Sequence, residues 1–323
     1  MVIQRSSRTL SGYPILKSIH DLSLETRLSP WILYKLSRNN NSYYRVFHIK
    51  KSNGGDREIA EPAKNMKAVQ AWINVNILQP IPLLPQVTGF RKGYSILQNA
   101  RAHEDNRYLL CLDIDDFFPS IKYPIIYHIY QSLGYNSHMS HVLTSLCTFR
   151  NRLPQGGVTS PALSNLSCHR LDRRIIGYCG PRGITYTRYA DDMTFSTMSW
   201  YKLISTIKFV EYAANDEGFN LNKAKTRYMG PKRRQKVTGM VIGNNKAGIG
   251  RQTERVFRAS LYNLFAQKTS PNTEKVVTSI QGYLSFLYSV DTIRYNRAIK
   301  YISSLTVKFH KSKLEQRFKV IHA

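Results

Sequence analysis

ITYTRYADDMTFS, residues 184–196, places two adjacent carboxylates, Asp191 and Asp192, between two runs rich in Thr, Tyr and Phe. Each run alternates as a half-buried strand does, so the stretch reads as a β-hairpin with its acids at the tip. Adjacent carboxylates repel, and a fold that holds two at one turn commonly sets a cation between them. The plainer reading is an Asp-rich turn, because Asp bonds its own backbone in turns. The stretch alone does not choose between the two.

Upstream, Tyr108 to Leu112 is a continuous apolar run, the pattern of a strand covered on both faces, and it ends in Asp113-Ile114-Asp115-Asp116-Phe117-Phe118. Acids at the end of a buried strand are costly. Asp and Ser120 as caps of a following helix, Tyr123 to Leu133, account for one acid and leave the others unexplained. Further helices are expected from Ser137 to Phe149 and from an N-cap at Ser160 with Pro161 in the first turn, the latter burying Leu163, Leu166, Leu171 and Ile175. Then come the hairpin, a helix from Trp200 to Asn215, and a strand after Gly218 to Thr226. Strand, helices, hairpin, helix, strand is the order of a split βαβ, ferredoxin-like antiparallel sheet in an α+β fold. It sets the first strand beside the hairpin, so Asp113 and the Asp191-Asp192 turn converge.

Three carboxylates on one sheet edge suit two Mg²⁺ ions, which prefer oxygen ligands and share them with phosphates. Such a pair serves in-line phosphoryl displacement. A nuclease would use the same metals. Synthesis is favoured by basic groups ahead of the first acid, and by Phe118 behind it, placed for a ring under the sugar that excludes a 2′-hydroxyl.

The composition agrees. Among 323 residues, 47 Lys and Arg against 20 Asp and Glu give a net charge of +27, with 42% hydrophobic residues. A globular chain with that excess expects a polyanion, nucleic acid first and a membrane surface second. No run approaches 18 apolar residues, and the first ten residues lack the apolar core of a signal peptide, so a cytoplasmic protein is expected. Cys111, Cys147, Cys168 and Cys179 stand apart and read as reduced packing residues.

Several stretches are suited to phosphate. A hairpin runs from Tyr43 to Ile49 and back from Arg57 to Ile59 through a tight turn at Asn53-Gly54-Gly55-Asp56, basic at its tip. A helix following Pro62 buries Met66, Val69, Ile73 and Ile77 and leaves Lys64, Lys67 and Gln70 off that stripe. Gly89 to Ser95 is a glycine-flanked basic loop. Lys232-Arg233-Arg234 precedes a short hairpin, Val237 to Ile242, with a turn at Gly243-Asn244. From Lys246 on, 14 Lys and Arg face 4 Asp and Glu across three helical patterns, interleaved with Tyr and Phe as in a groove that tracks a nucleic-acid backbone.

RxIxxPxxxxKxxQxxI from Arg57 to Ile73, GFRKGYS, LDIDDFFPS, LPQGGVTSP, YADD and GFNLNxxKT occur in the order seen in reverse transcriptases, which the chain resembles over about residues 45 to 230. Asn99-Ala100-x-x-His103 and Val237-Thr238-Gly239 look like the two extra signatures of bacterial retron reverse transcriptases, of the group II intron-like branch. The resemblance implies a right-hand polymerase. Its fingers come from residues 1–107 and 124–155, its palm from 108–123 and 156–243, and its basic helical thumb from 244–323. It implies partial copying of a cognate structured noncoding RNA, with the first deoxynucleotide joined to a guanosine 2′-hydroxyl. The product is branched RNA-linked single-stranded DNA (msDNA), and the setting is antiphage defence with separately encoded effector proteins and no membrane.

By the same resemblance Asp113, Ile114, Asp191 and Asp192 are metal positions for two Mg²⁺, or Mn²⁺ in vitro, Asp192 alternatively lying behind the ligands. Arg57 and Arg91 match the triphosphate contacts. Asp116, Phe117 and Phe118 match the deoxynucleotide pocket, Gln155 a loop beneath the incoming base, and Lys225 the lysine near the leaving pyrophosphate. Asn99, His103, Lys232, Arg233, Arg234, Val237, Thr238, Gly239 and Arg251 are assigned to RNA. No RNase H or endonuclease domain is expected, so trimming of the template needs another enzyme. The alternatives are a catalytically idle RNA-binding scaffold, which has no use for clustered acids, and a group II intron or diversity-generating enzyme, which lacks the paired signatures.

Overall fold

The computed structural model describes residues 12–51, 54–243, 246–266 and 273–319. The chain divides into two compact units, one of residues 1–94 and 107–228, the other of 95–106 and 229–323. The expected turns at Asn53 and at Gly243-Asn244 lie partly outside the described residues. No described helix is long and apolar enough to cross a membrane.

The first unit opens with helices Ile19–Thr26 and Pro30–Arg38. The second helix is capped by Ser29, which accepts from the Ile32 amide, and Pro30 needs no donor in the first turn. Strands β1 (Tyr44–Lys50) and β2 (Asp56–Pro62) form an antiparallel pair in register from Tyr44↔Pro62 to Lys50↔Asp56. Helix Lys64–Ile73 buries Met66, Val69 and Ile73 as its periodicity requires. Gln70, expected on the polar face, is instead fully buried. Its amide donates to Tyr44 Oη (2.7 Å) and to the Leu146 carbonyl (2.8 Å) and accepts from the Val158 amide (3.0 Å). A buried amide is tolerated when its bonds are made, and this one ties the hairpin to the loop that carries Gln155.

A four-stranded sheet has the order β4-β5-β3-β6, with β3 Tyr108–Asp113, β4 Thr185–Tyr189, β5 Asp192–Thr197 and β6 Arg227–Met229. The apolar run of β3 follows from its central place, where Leu109, Leu110, Cys111 and Leu112 are covered on both faces. Helices Ser160–Ser167, His169–Cys179 and Trp200–Asp216 contribute Leu163, Leu171, Ile175, Leu203 and Val210 to the same core as Tyr186, Met193 and Phe195. Each such side chain contributes roughly 1.5–3 kcal/mol on burial. The single helix expected from Ser160 is broken at Cys168, and its N-cap is Thr159, because the Ser160 hydroxyl donates to the Pro154 carbonyl (2.7 Å) instead. Helices Tyr123–Ser132 and Ser137–Cys147 also belong to this unit.

In the second unit β7 (Gln235–Val237), β8 (Met240–Gly243) and β9 (Lys246–Gly248) form an antiparallel sheet. The turn joining β7 to β8 is Thr238-Gly239, both at positive φ (45° and 85°), as a two-residue hairpin turn demands. Beyond it the described residues form four helices, one more than the sequence suggested: Arg251–Phe265, Thr273–Val290, Thr292–Phe309 and Ser312–Lys319. The fourth is short and contributes one deeply buried anchor, Phe318.

Candidate active site

The register of β3 and β5 puts Asp113 opposite Asp192, and β4 pairs Tyr189 with Asp192, so the hairpin turns through Ala190 and Asp191 alone. Ala190 lies at φ 57°, the left-handed conformation a two-residue turn requires. The Ile114 amide donates to the Asp191 carbonyl (3.1 Å), while the Asp115 amide donates to Asn220 O (2.8 Å) and the Asn222 amide to Asp113 O (2.8 Å). The end of β3 is thus fastened on both sides. Capping does not account for these acids. Asp116 makes no cap bond to the short helix Phe117–Ser120, the helix from Tyr123 has Lys122 at its N-cap, and the Ser120 hydroxyl bonds back to Phe117 O.

The electrostatics show what the cluster lacks. Burial raises the Asp113 carboxyl above its ordinary value, Asp191 and Asp115 raise it further, and Lys225 opposes them. Asp192 is pushed up to about 6 by burial, then by Asp191 and Asp113, against Arg227 and Lys225. Negative charge is therefore held here in excess of its compensation, the condition a divalent cation relieves. The donors are carboxylate oxygens, with the Ile114 carbonyl adjoining, a hard set that fits Mg²⁺ or Mn²⁺. Among the described residues no three His, Cys, Asp or Glu side chains close around one point. Asp113 Oδ1 lies 2.8 Å from Lys225 Nζ. That contact in turn raises the lysine.

The acids stand at one side of a cleft of about 900 Å³, lined by Arg57, Phe118, Gln155, Asp191, Asp192 and Lys225 among others. Gln155 is carried there by its carbonyl, which accepts from the Ala60 amide of β2 (2.8 Å). The next residue, Gly156, sits at φ 116°, where a Cβ would come within 2.9 Å of Ala60 O, so only glycine passes. Asp116 is exposed at the cleft. Phe118 is half-buried, its ring 6.1 Å from that of Phe90.

Arg91 and Phe117 are placed differently from the other nucleotide-pocket candidates. Arg91 does not line the cleft: its Nη1 donates to Leu84 O (3.2 Å), and its guanidinium lies 4.1 Å over the Tyr94 ring. Phe117 lines the cleft but is 3% exposed and packs in the core, while Phe118 is half-buried. Lys50, Lys51, Phe90, Arg152 and Tyr189 also line the cleft and were not singled out. The basic tip of the β1–β2 hairpin was the available signal for the two lysines.

Residues 49–242 match the family described as reverse transcriptase (RNA-dependent DNA polymerase). The Retron Ec86 reverse transcriptase of Escherichia coli is 39% identical over 307 residues, which is 94% of each chain. The chain belongs to the retron reverse transcriptases. It is accordingly an RNA-directed DNA polymerase, of the family that carries out retron msDNA synthesis. Two Myxococcus xanthus relatives agree. The Retron Mx65 reverse transcriptase is 31% identical over 85% of this chain and 69% of that one, and the Retron Mx162 reverse transcriptase 30% identical over 84% and 62%.

In this retron reverse transcriptase the residues assigned to RNA fall into two kinds. Lys232, Arg233, Arg234, Gly239 and Arg251 are exposed, and Thr238 partly so. Asn99, His103 and Val237 are 0% exposed and are held within the fold. Asn99 Nδ2 donates to Thr238 Oγ1 (3.2 Å), Thr238 Oγ1 donates to Ile96 O (3.4 Å), and Glu104 Oε1 accepts from the Ala247 amide (2.7 Å). The two signatures are thus one structure, in which the helix Ile96–Arg101 braces the Thr238-Gly239 turn. Burial pushes the His103 imidazole down to about 3 from 6.5. Below pH 6.5 the unfolded chain takes up a proton that the folded chain refuses, so this residue's contribution is intact above that pH and is lost as pH falls toward 3. Thermal melts across that window should fall less steeply for His103→Gln than for the parent; equal slopes would remove the assignment.

Proposed function

We propose that the enzyme copies part of a cognate structured noncoding RNA into msDNA, starting from a guanosine 2′-hydroxyl. The carrying observation is the register that sets Asp113 against Asp192 beside the Asp191 turn, at the wall of a cleft shared with Arg57, Phe118, Gln155 and Lys225. Asp113, Asp191, Asp192 and the Ile114 carbonyl would hold two divalent cations, which supply activation of the attacking hydroxyl and neutralisation of the departing pyrophosphate. Arg57 meets the triphosphate of the incoming deoxynucleotide. Lys225, which pairs with Asp113, would supply a cation or proton to the leaving group. Gln155 supports the nascent pair from below. The Phe118 ring bars a 2′-hydroxyl.

Residues 1–107 and 124–155 act as fingers, 108–123 and 156–243 as palm and 244–323 as thumb, the exposed cations from Lys232 to Arg234 and Arg251 meeting RNA phosphates. Antiphage defence with separately encoded effectors is the setting this reading supports. The test is to extract nucleic acid from enzyme produced with its own RNA. Short DNA that stays joined to RNA until a debranching enzyme is added is expected; unlinked DNA would exclude 2′ priming. Phe118→Ala should raise ribonucleotide incorporation by about tenfold or more, at 1.36 kcal/mol per tenfold. Unchanged discrimination would remove the gate.

A further inference from the structure

The structure assigns to Arg188 the role of a positioning residue, which fixes the Ala190-Asp191 turn through the Ala190 carbonyl and so sets how Asp191 faces the other acids. The inference rests on the reading of those acids as cation ligands.

Arg188 is on β4, two residues before Ala190, and it is 0% exposed. A guanidinium in a core is costly unless every donor is engaged. Its Nε and Nη2 hold Asp172 Oδ1 and Oδ2 at 2.8 and 2.7 Å, a two-pronged ion pair. Asp172 also accepts from Tyr186 Oη (2.7 Å). Nη1 is turned the other way, to Asn165 Oδ1 (3.2 Å) and the Ala190 carbonyl (3.1 Å).

The same turn is gripped from its far side. Asn165 Nδ2 donates to Gly89 O (2.9 Å), and Gly89 lies so close that a Cβ there would meet the Ala190 nitrogen at 2.5 Å. The Thr88 amide donates to Arg188 O (2.9 Å), and the Arg188 amide to Gln86 O (2.9 Å).

An ion pair that served packing alone would need the Asp172 fork and nothing more, since apolar groups of the same shape fill such sites as well. Here a further donor is spent on the carbonyl immediately before Asp191. Ala190 is a non-glycine residue at positive φ, a conformation that persists only where its surroundings hold it. Lysine cannot replace the arrangement, because its donors radiate from one atom and do not span Asp172 and Ala190 together.

The test is a Mn²⁺ titration read by electron paramagnetic resonance. It uses the full chain bound to a template-primer with a dideoxy 3′ end and the matching deoxynucleoside triphosphate. Asn165→Ala and Arg188→Lys should weaken Mn²⁺ binding by about 10- to 100-fold, the usual effect of losing a group that orients a ligand. Asp191→Ala is the reference for a lost ligand. If Asp191→Ala loses Mn²⁺ while both variants, folded at the temperature used, bind it as the parent does, the positioning role is overturned and the ion reading stands. If Asp191→Ala also binds as the parent, both fall. Should Arg188→Lys fail to fold, Asn165→Ala decides alone, because it spares the Asp172–Arg188 ion pair.

Discussion

Replacing Asp191 by Ala is expected to lower DNA synthesis on the order of 10³-fold while leaving RNA binding close to that of the parent enzyme. Metal ions in such sites stabilise developing charge by several kcal/mol, and each 1.36 kcal/mol is a factor of ten in rate. Asp191 is not a folding residue in the way its neighbours are. Its backbone carbonyl, which Ala retains, takes the bond from the Ile114 amide. The candidate RNA contacts, Lys232 to Arg234 and Arg251, are remote from it in sequence and belong to the other compact unit. Primer extension and RNA retention measured on one preparation check both halves. Near-normal DNA yield would sink the two-metal reading, and parallel loss of RNA binding would make Asp191 a structural residue.

The acids themselves were legible because their signals are local. A strand buried on both faces announces itself by an unbroken apolar run, and Asp113 closes that run in the sequence as in the structure. The alternation on either side of Asp191-Asp192 likewise specifies a hairpin, and the order of elements specifies that β3 lies beside β5. What stayed hidden is long-range and polar. Gln70 reads as a surface residue of an amphipathic helix because its three partners, Tyr44, Leu146 and Val158, are distant in sequence. Asn99 and His103 are polar residues in a short signature, and polarity suggests exposure until the helix is seen braced on the Thr238 turn. Arg91 sits in a loop suited to phosphate, yet carbonyls of its own segment reach it first. Arg188 is the extreme case. An Arg in an alternating strand reads as solvent-facing, and nothing near it in sequence reveals that a helix supplies Asp172 beneath it.

That buried pair is expected to give a large stability change. Both partners are 0% exposed, so Asp172→Ala leaves a guanidinium in the core with two donors stripped of their acceptor, and also strips Tyr186 Oη. Breaking a buried pair by deleting one member costs about 3–5 kcal/mol. For a unit of this size that lowers the melting temperature by roughly 10 °C or more, measurable by circular dichroism. A melting point within a degree of the parent's would mean that the pair is compensated by water. Removing both members, as Asp172→Leu with Arg188→Met, should recover most of the loss, because apolar groups of similar volume fill such sites without a desolvation penalty. The recovered protein would still have no donor on the Ala190 carbonyl. It should therefore regain its melting temperature and not its Mn²⁺ affinity, and that divergence separates the weight the pair bears in the core from the hold it keeps on the acid turn.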